Sequence, residues 1–318
     1  MLDTQAQALL DLLAKRGVPA IEAMNPPEAR ATYRDRRFYT QPDPPAVAQV
    51  LDLQIEGLHG PIGLRWYRPA GTQATDLLPG LVYLHGGGWV IGDLDTHDTL
   101  CRELANRARC AVVAVDYRLG PEHRFPAAVD DSIMATRHVL RHAAQFGMDP
   151  RRVAVGGDSA GGNLSAVVCL ALRDEPEPEP DSAGLAFQLL IYPATDMVYR
   201  TASHTENGRG YMLTTATMEY FRSHYIDPAH YEDWRASPLL AKSHARLPPA
   251  LVLTAGYDPL RDEGLAYADK LSAAGVPTQY LCFARQIHGF IPMGRAIDEA
   301  NLAVRVCADA LRRQFYRD

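Results

Sequence analysis

Val153-Ala154-Val155-Gly156-Gly157-Asp158-Ser159-Ala160-Gly161-Gly162-Asn163-Leu164 is the stretch that decides how the rest of the chain reads. Val153–Val155 is a short, continuous apolar run, which suits a strand covered on both faces. Apolar residues then recur at helical spacing over 160–173, so Gly157–Gly161 is a G-x-S-x-G sequence on a strand-to-helix turn. Such a turn is too tight for a Cβ on either side of the serine, which is what the glycines supply. It lifts the Ser159 hydroxyl above the sheet edge and aims the first amides of the helix at whatever reacts there. The bland reading is a glycine-rich turn that happens to hold a serine; the strand before and helix after weigh against it.

Outward from this turn, similar apolar runs occur at 81–84, 111–115, 187–191 and 251–254, with a further strand near 278–283. Helix-type patterns lie at about 97–109, 126–146 and 262–274, and a terminal one near 296–315. This alternation predicts a doubly wound α/β sheet flanked by helices. Residues 50–56 and 62–68 alternate apolar and polar side chains around His59-Gly60-Pro61, as in an antiparallel hairpin with one wet face. Ahead of it stand an amphipathic helix (Ala6, Leu9, Leu10, Leu13), a Pro-rich connection at Met24–Pro27, an Arg/Tyr-rich stretch and a second break at Pro42–Pro45. Residues 174–181 (DEPEPEPD) read as an exposed charged spacer, and 194–245 carry no strand-like run. The expected division is therefore a helical cap from 1–45 and 194–245, over a core formed by 46–193 and 246–318.

The 318 residues, 47% of them hydrophobic, are ample for one large core with an insertion. A net charge of −6, with no Lys/Arg block, argues against nucleic acid as a partner. No apolar run approaches membrane-spanning length, so no membrane insertion is expected. Five cysteines with no C-x-x-C spacing fit a reduced protein, and the N-terminus has no signal-type apolar core. A cytoplasmic location is the resulting expectation, with no metal or cofactor.

Directly after the 81–84 run comes His85-Gly86-Gly87-Gly88-Trp89. Three glycines in a row cost conformational entropy, and a backbone that must approach a substrate and aim its amides inward is a reason to bear it. A P-loop is excluded, since no Lys-Ser/Thr follows. The amides of Gly86, Gly87 and Ala160 are the expected oxyanion hole. In this type of fold the acid and then the base follow the nucleophile. Asp258 stands at the start of the loop after the 251–254 run and is the expected acid, while Asp262 and Glu263 open the next helix, where its dipole favours them. His288, beyond the last strand, is the expected base. His85 reads as structural. His138 and His142 have metal-like spacing but lack the accompanying glutamate, so a solvated helix face is preferred. Trp89, Tyr192, Tyr211, Met212 and Leu213 are candidate pocket walls. Asp116 and Glu122 read as hydrogen-bonding supports for the loops around Ser159.

The segments His85–Trp89, Asp116–Glu122 with Phe125–Ala128, Gly157–Gly162, Tyr192-Pro193, Gly210–Thr214, Asp258–Gly264 and His288–Phe290 resemble, in order, the hormone-sensitive lipase family of microbial esterases. The resemblance spans nearly the whole chain. It implies an α/β-hydrolase fold with an eight-stranded, mostly parallel sheet and a helical cap. It also implies hydrolysis of short- to medium-chain carboxylic esters, a small-molecule ester as partner, and an assembly that in some members is a homodimer. Two departures stand out. Gly120 replaces the usual alanine, expected to be harmless, and Arg285 sits near the base, where a small residue is commoner. Plant gibberellin receptors resemble the same family without a working triad, so binding without catalysis is the competing class. Amide or lactone hydrolysis would use the same residues.

Overall fold

The computed structural model describes residues 1–175 and 184–317; most of the 174–181 spacer lies outside them. Its eight strands are β1 (Gln49–Gly57), β2 (Gly60–Arg68), β3 (Leu78–Leu84), β4 (Ala111–Asp116), β5 (Met148–Asp158), β6 (Phe187–Ile191), β7 (Ala250–Tyr257) and β8 (Thr278–Ile287). They form one sheet in the order β1-β2-β4-β3-β5-β6-β7-β8. The β1–β2 and β2–β4 pairings are antiparallel; every later pairing is parallel. The fold is thus that of an α/β hydrolase. β3 runs out to β4 on one side and meets β5 on the other, so the winding direction reverses beside β5. A crevice opens at the carboxyl ends of the strands at such a reversal, and Ser159 stands there.

The helices are α1 (Thr4–Lys15), α2 (Pro26–Thr40), α3 (Asp98–Ala108), α4 (Ala127–Arg141), α5 (Ala160–Arg173), α6 (Ala202–Glu206), α7 (Thr215–Tyr225), α8 (Arg261–Ala273) and α9 (Asp298–Phe315). Period-two alternation in the strands feeds two cores. Val82 and Leu84 of β3 point to the face covered by α4, α5 and α8. Leu81 and Tyr83 point to the face covered by α1, α3 and α9. α5, which carries the serine turn, is buried from Ala160 to Leu170. Truncating a residue such as Leu164 to alanine would cost about 2–5 kcal/mol. Among the described residues no helix is long and apolar enough to cross a membrane.

The N-terminal region departs from the sequence reading. Met24–Pro27 is not a connection: Asn25 caps α2 by accepting the Glu28 amide at 3.0 Å, and Glu28 accepts the Asn25 amide at 3.2 Å. Pro26 sits in the first turn, where a missing N–H is no loss. The Arg/Tyr-rich stretch is therefore helical. α1 is tied to the sheet edge, with the Asp3 amide donating to the Arg285 carbonyl at 2.9 Å and Gln5 bonding Asp298 of α9. α2 instead lies across the carboxyl ends of the strands. Arg30 is its main anchor, donating to the Val90 and Gly120 carbonyls at 2.8 Å and to Glu122 at 2.6 and 2.9 Å.

Gly120 is not interchangeable with alanine. A Cβ there would lie 2.7 Å from the His224 carbonyl oxygen and 3.2 Å from Tyr225 Cα, at the end of α7. The residue has no room to retreat, because its amide donates to Trp89 O at 2.8 Å and its carbonyl is held by Arg30. Gly120→Ala is expected to cost about 1–3 kcal/mol, as overpacking does. Calorimetry should show a lower Tm, and an unchanged Tm would mean that α7 yields freely.

Candidate active site

The turn after β5 holds Ser159 at φ 57°, ψ −116°, a region that a residue with a Cβ rarely adopts. It persists because the surroundings leave no alternative. A Cβ at Gly157 or Gly161 would lie 2.2 Å or 1.8 Å from the Leu84 carbonyl oxygen, so both flanking positions must be glycine. The Ser159 side chain caps no amide of α5. It donates instead to His288 Nε2, at 2.9 Å. His288 follows directly on β8, which runs through Ile287, and its Nδ1–H donates to Asp258 Oδ2 at 2.7 Å. A carboxylate only accepts, so this bond fixes the tautomer and leaves Nε2 with its lone pair toward the serine. Asp258 is fully buried, and its other oxygen accepts the Leu260 amide at 2.8 Å. Three residues from the ends of β5, β7 and β8 thus form one continuous relay.

The glycine loop is held by a carboxylate that the sequence reading passed over. Asp158, buried beside the serine, accepts the Tyr83 hydroxyl at 2.8 Å and the Gly86 amide at 3.0 Å, and lies 3.2 Å from His97 Nε2. Burial pushes its carboxyl up, but His97 and the bond from Tyr83 outweigh that and hold it below the usual carboxylate range. This corrects the expected oxyanion hole, since a Gly86 N–H spent on Asp158 cannot serve a substrate. The amides of Gly87, Gly88 and Ala160 meet no protein acceptor among the described residues. Gly87 and Gly88 also line the pocket with Ser159. His85 has the structural place expected of it. Its Nδ1 is 2.8 Å from Gly86 O, its ring stacks on Tyr117 at 4.3 Å, and burial, with His97 nearby, lowers its pKa to about 4.

The pocket above Ser159 is narrow, about 100 Å³, with walls largely of apolar side chains. Trp89, Met212 and Leu213 line it. Tyr192 and Tyr211 do not. Tyr192 is wholly buried with its ring 4.7 Å from that of His288, a support beneath the base, and Tyr211 packs on Tyr257 at 5.0 Å. Met197, Met218, Phe221 and Leu260 add to the walls, together with Tyr33 and Arg36 from α2 and the carboxylates Asp158 and Asp196.

One further expectation, for Asp116, is corrected. Arg285 is exposed, and its guanidinium lies 3.8 Å from Asp3 at the start of α1. Asp116 points outward and takes no hydrogen bond among the described residues, whereas Glu122 does anchor a loop, through Arg30. Glu263 lies in the first turn of α8 but is fully buried. It accepts the Asp196 amide at 3.2 Å and sits 2.8 Å from His204 Nε2, so it ties α8 to the 194–206 segment.

Residues 81–292 match a family model described as the alpha/beta hydrolase fold. The carboxylic ester hydrolase LipN of Mycobacterium tuberculosis is 44% identical over 91% of this chain and 77% of its own length. The ethyl acetate hydrolase of Pseudomonas putida is 38% identical over 93% and 92%. Among solved structures, the ester hydrolase EH1AB1 from the Lake Arreo metagenome, in complex with a bipyridine phosphonate derivative, is 46% identical, covers both chains fully and superposes with a TM-score of 0.94. The hyperthermophilic esterase of Pyrobaculum calidifontis is 37% identical, covers 98% of each chain and has a TM-score of 0.90.

Because the folded Asp158 ionises more readily than a free carboxyl, it contributes stability that is full above the unfolded value, about 3.9, and is lost as pH falls through the folded value. Asp158→Asn should therefore be less stable than the parent at neutral pH and lose less on acidification. Urea denaturation across pH checks this; parallel pH–stability curves for the two proteins would contradict it.

Proposed function

The chain belongs to the hormone-sensitive lipase-like family of α/β hydrolases and is a carboxylic ester hydrolase, and from that premise we propose that Ser159, His288 and Asp258 hydrolyse short- to medium-chain esters through an acyl-enzyme. The observation that carries this is the unbroken relay, 2.9 Å from serine to imidazole and 2.7 Å from imidazole to carboxylate.

In this reading Ser159 Oγ attacks the ester carbonyl as its proton passes to His288 Nε2. Asp258 stabilises the imidazolium and keeps its orientation. The oxyanion forms against the amides of Gly87, Gly88 and Ala160, each such donor being worth on the order of 3 kcal/mol. The imidazolium then protonates the departing alkoxide, and the alcohol leaves. Water, deprotonated by His288, attacks the acyl-serine; collapse releases the acid and returns the proton to Ser159. A binding-only role is disfavoured because nothing in the relay is missing.

The narrow pocket, walled by Trp89, Met212, Leu213 and Phe221, supports the preference for short chains. The cap, in this proposal, is α2 together with α6 and α7. A cytoplasmic location is supported by five free cysteines, all but Cys282 buried.

Ser159→Ala should reduce p-nitrophenyl butyrate hydrolysis by at least about 10³-fold while leaving the thermal transition in place. Retained turnover would overturn the nucleophile assignment. Across a p-nitrophenyl acyl series, kcat/KM should fall at least about tenfold between chains of about four and about twelve carbons. A rise over that range would contradict the pocket reading.

A further inference from the structure

α2 carries Arg30, Arg34, Arg36 and Arg37. Three of them are paired: Arg30 with Glu122, Arg34 with Asp93, and Arg37 with Asp95. Arg36 is different. Among the described residues it makes no ion pair, although it is half-buried and lines the pocket that holds Ser159 and His288. Its guanidinium stands between two other pocket walls, with one nitrogen 3.3 Å from Met212 Sδ and its carbon 4.8 Å from the centre of the Tyr33 ring.

A thioether is a weak acceptor and a ring face is none. Even with a bond to the Tyr33 hydroxyl, most of the five guanidinium donors have no partner among the described residues. Nor does the surrounding charge satisfy them. Burial pushes the Tyr33 phenol up to about 12, so it gives no counter-charge. Asp158 is committed to Tyr83, Gly86 and His97, and Asp196 lies 3.1 Å from Arg200. Asp35, the neighbour in sequence, lines an outer groove together with Arg36 but forms no ion pair with it among the described residues. A half-buried cation whose nearest acids are already committed keeps donors free for something polar that enters the pocket. The group that would come into this pocket is the substrate.

We propose that Arg36 is an anion-recognition residue, and that the esters this enzyme prefers carry a carboxylate or comparable anion on the acyl or the alcohol part. This rests on the ester-hydrolase reading and adds a substrate class to it. The guanidinium would form charge-assisted, bidentate bonds to the anion, the geometry for which arginine is suited and lysine is not. Its stacking on Tyr33 holds the fork in place.

The test compares esters of equal length with and without the charge. One arm uses monomethyl esters of dicarboxylic acids of increasing length against methyl alkanoates, placing the anion on the acyl side. The other uses ω-acetoxy carboxylates against alkyl acetates, placing it on the alcohol side. The wild-type enzyme should favour the anionic member in one arm, and Arg36→Gln should lower the anionic-to-neutral ratio of kcat/KM at least about tenfold there. Arg36→Lys should recover only part of it. An unchanged ratio in both arms overturns the proposal. Failure of the neutral esters as well in the wild type would instead count against the esterase reading itself. Should the substitutions prevent folding, salt dependence of the wild type alone decides the matter. Its KM for the anionic ester should rise between about 10 and about 500 mM NaCl while that for the neutral match stays level. Equal responses of the two substrates overturn the proposal.

Discussion

The bond from the Gly86 amide to the Asp158 carboxylate joins the two halves of the site, and most of its geometry follows from it. Asp158 ends β5, immediately before the strained serine turn, and Gly86 begins the glycine loop after β3, the neighbouring strand. One buried charge therefore sets the distance between the Ser159 hydroxyl and the amides of Gly87 and Gly88. An unpaired carboxylate at that depth would be expensive, which is why Tyr83 and His97 also converge on it. On the outer side, Arg30 grips Val90 and Gly120, so the glycine loop is held from below by the sheet and from above by α2. The loop thus reaches the substrate already organised, the condition under which backbone amides stabilise a developing oxyanion.

The core and the relay were legible in the sequence because their signals are local. The apolar runs 187–191 and 251–254 and the helical spacing over 160–173 mark elements whose burial is dictated by their own pattern. The glycines around Ser159 announce a turn that admits no side chain. Asp258 and His288 were found by position, each just beyond a strand, and both lie within hydrogen-bonding distance of their partners.

What escaped the sequence reading depends on contacts between distant segments. Gly86 looked like an oxyanion donor because nothing in His85–Trp89 shows that a residue 72 positions later consumes its amide. Tyr192 looked like a pocket wall, but burial against His288 and Phe290 turns it into a support. His97 has no signature of its own. α2, by contrast, was readable. Asn25, Pro26 and Glu28 are a helix start, and Ala29, Tyr33, Arg36 and Thr40 recur at helical spacing on one face. Reading two prolines as a break hid that face, and with it the part of the wall that carries Arg36.

The proposed chemistry turns on Ser159 Oγ being the atom that takes the acyl group. The most direct measurement is intact-mass analysis and peptide mapping after reaction with a p-nitrophenyl phosphonate ester, a mimic of the tetrahedral state. One phosphonyl adduct per chain, confined to the peptide containing Ser159, with loss of ester turnover in proportion to labelling, is the predicted result. Full loss of turnover with the adduct on another residue, or full labelling of Ser159 with turnover intact, would contradict it.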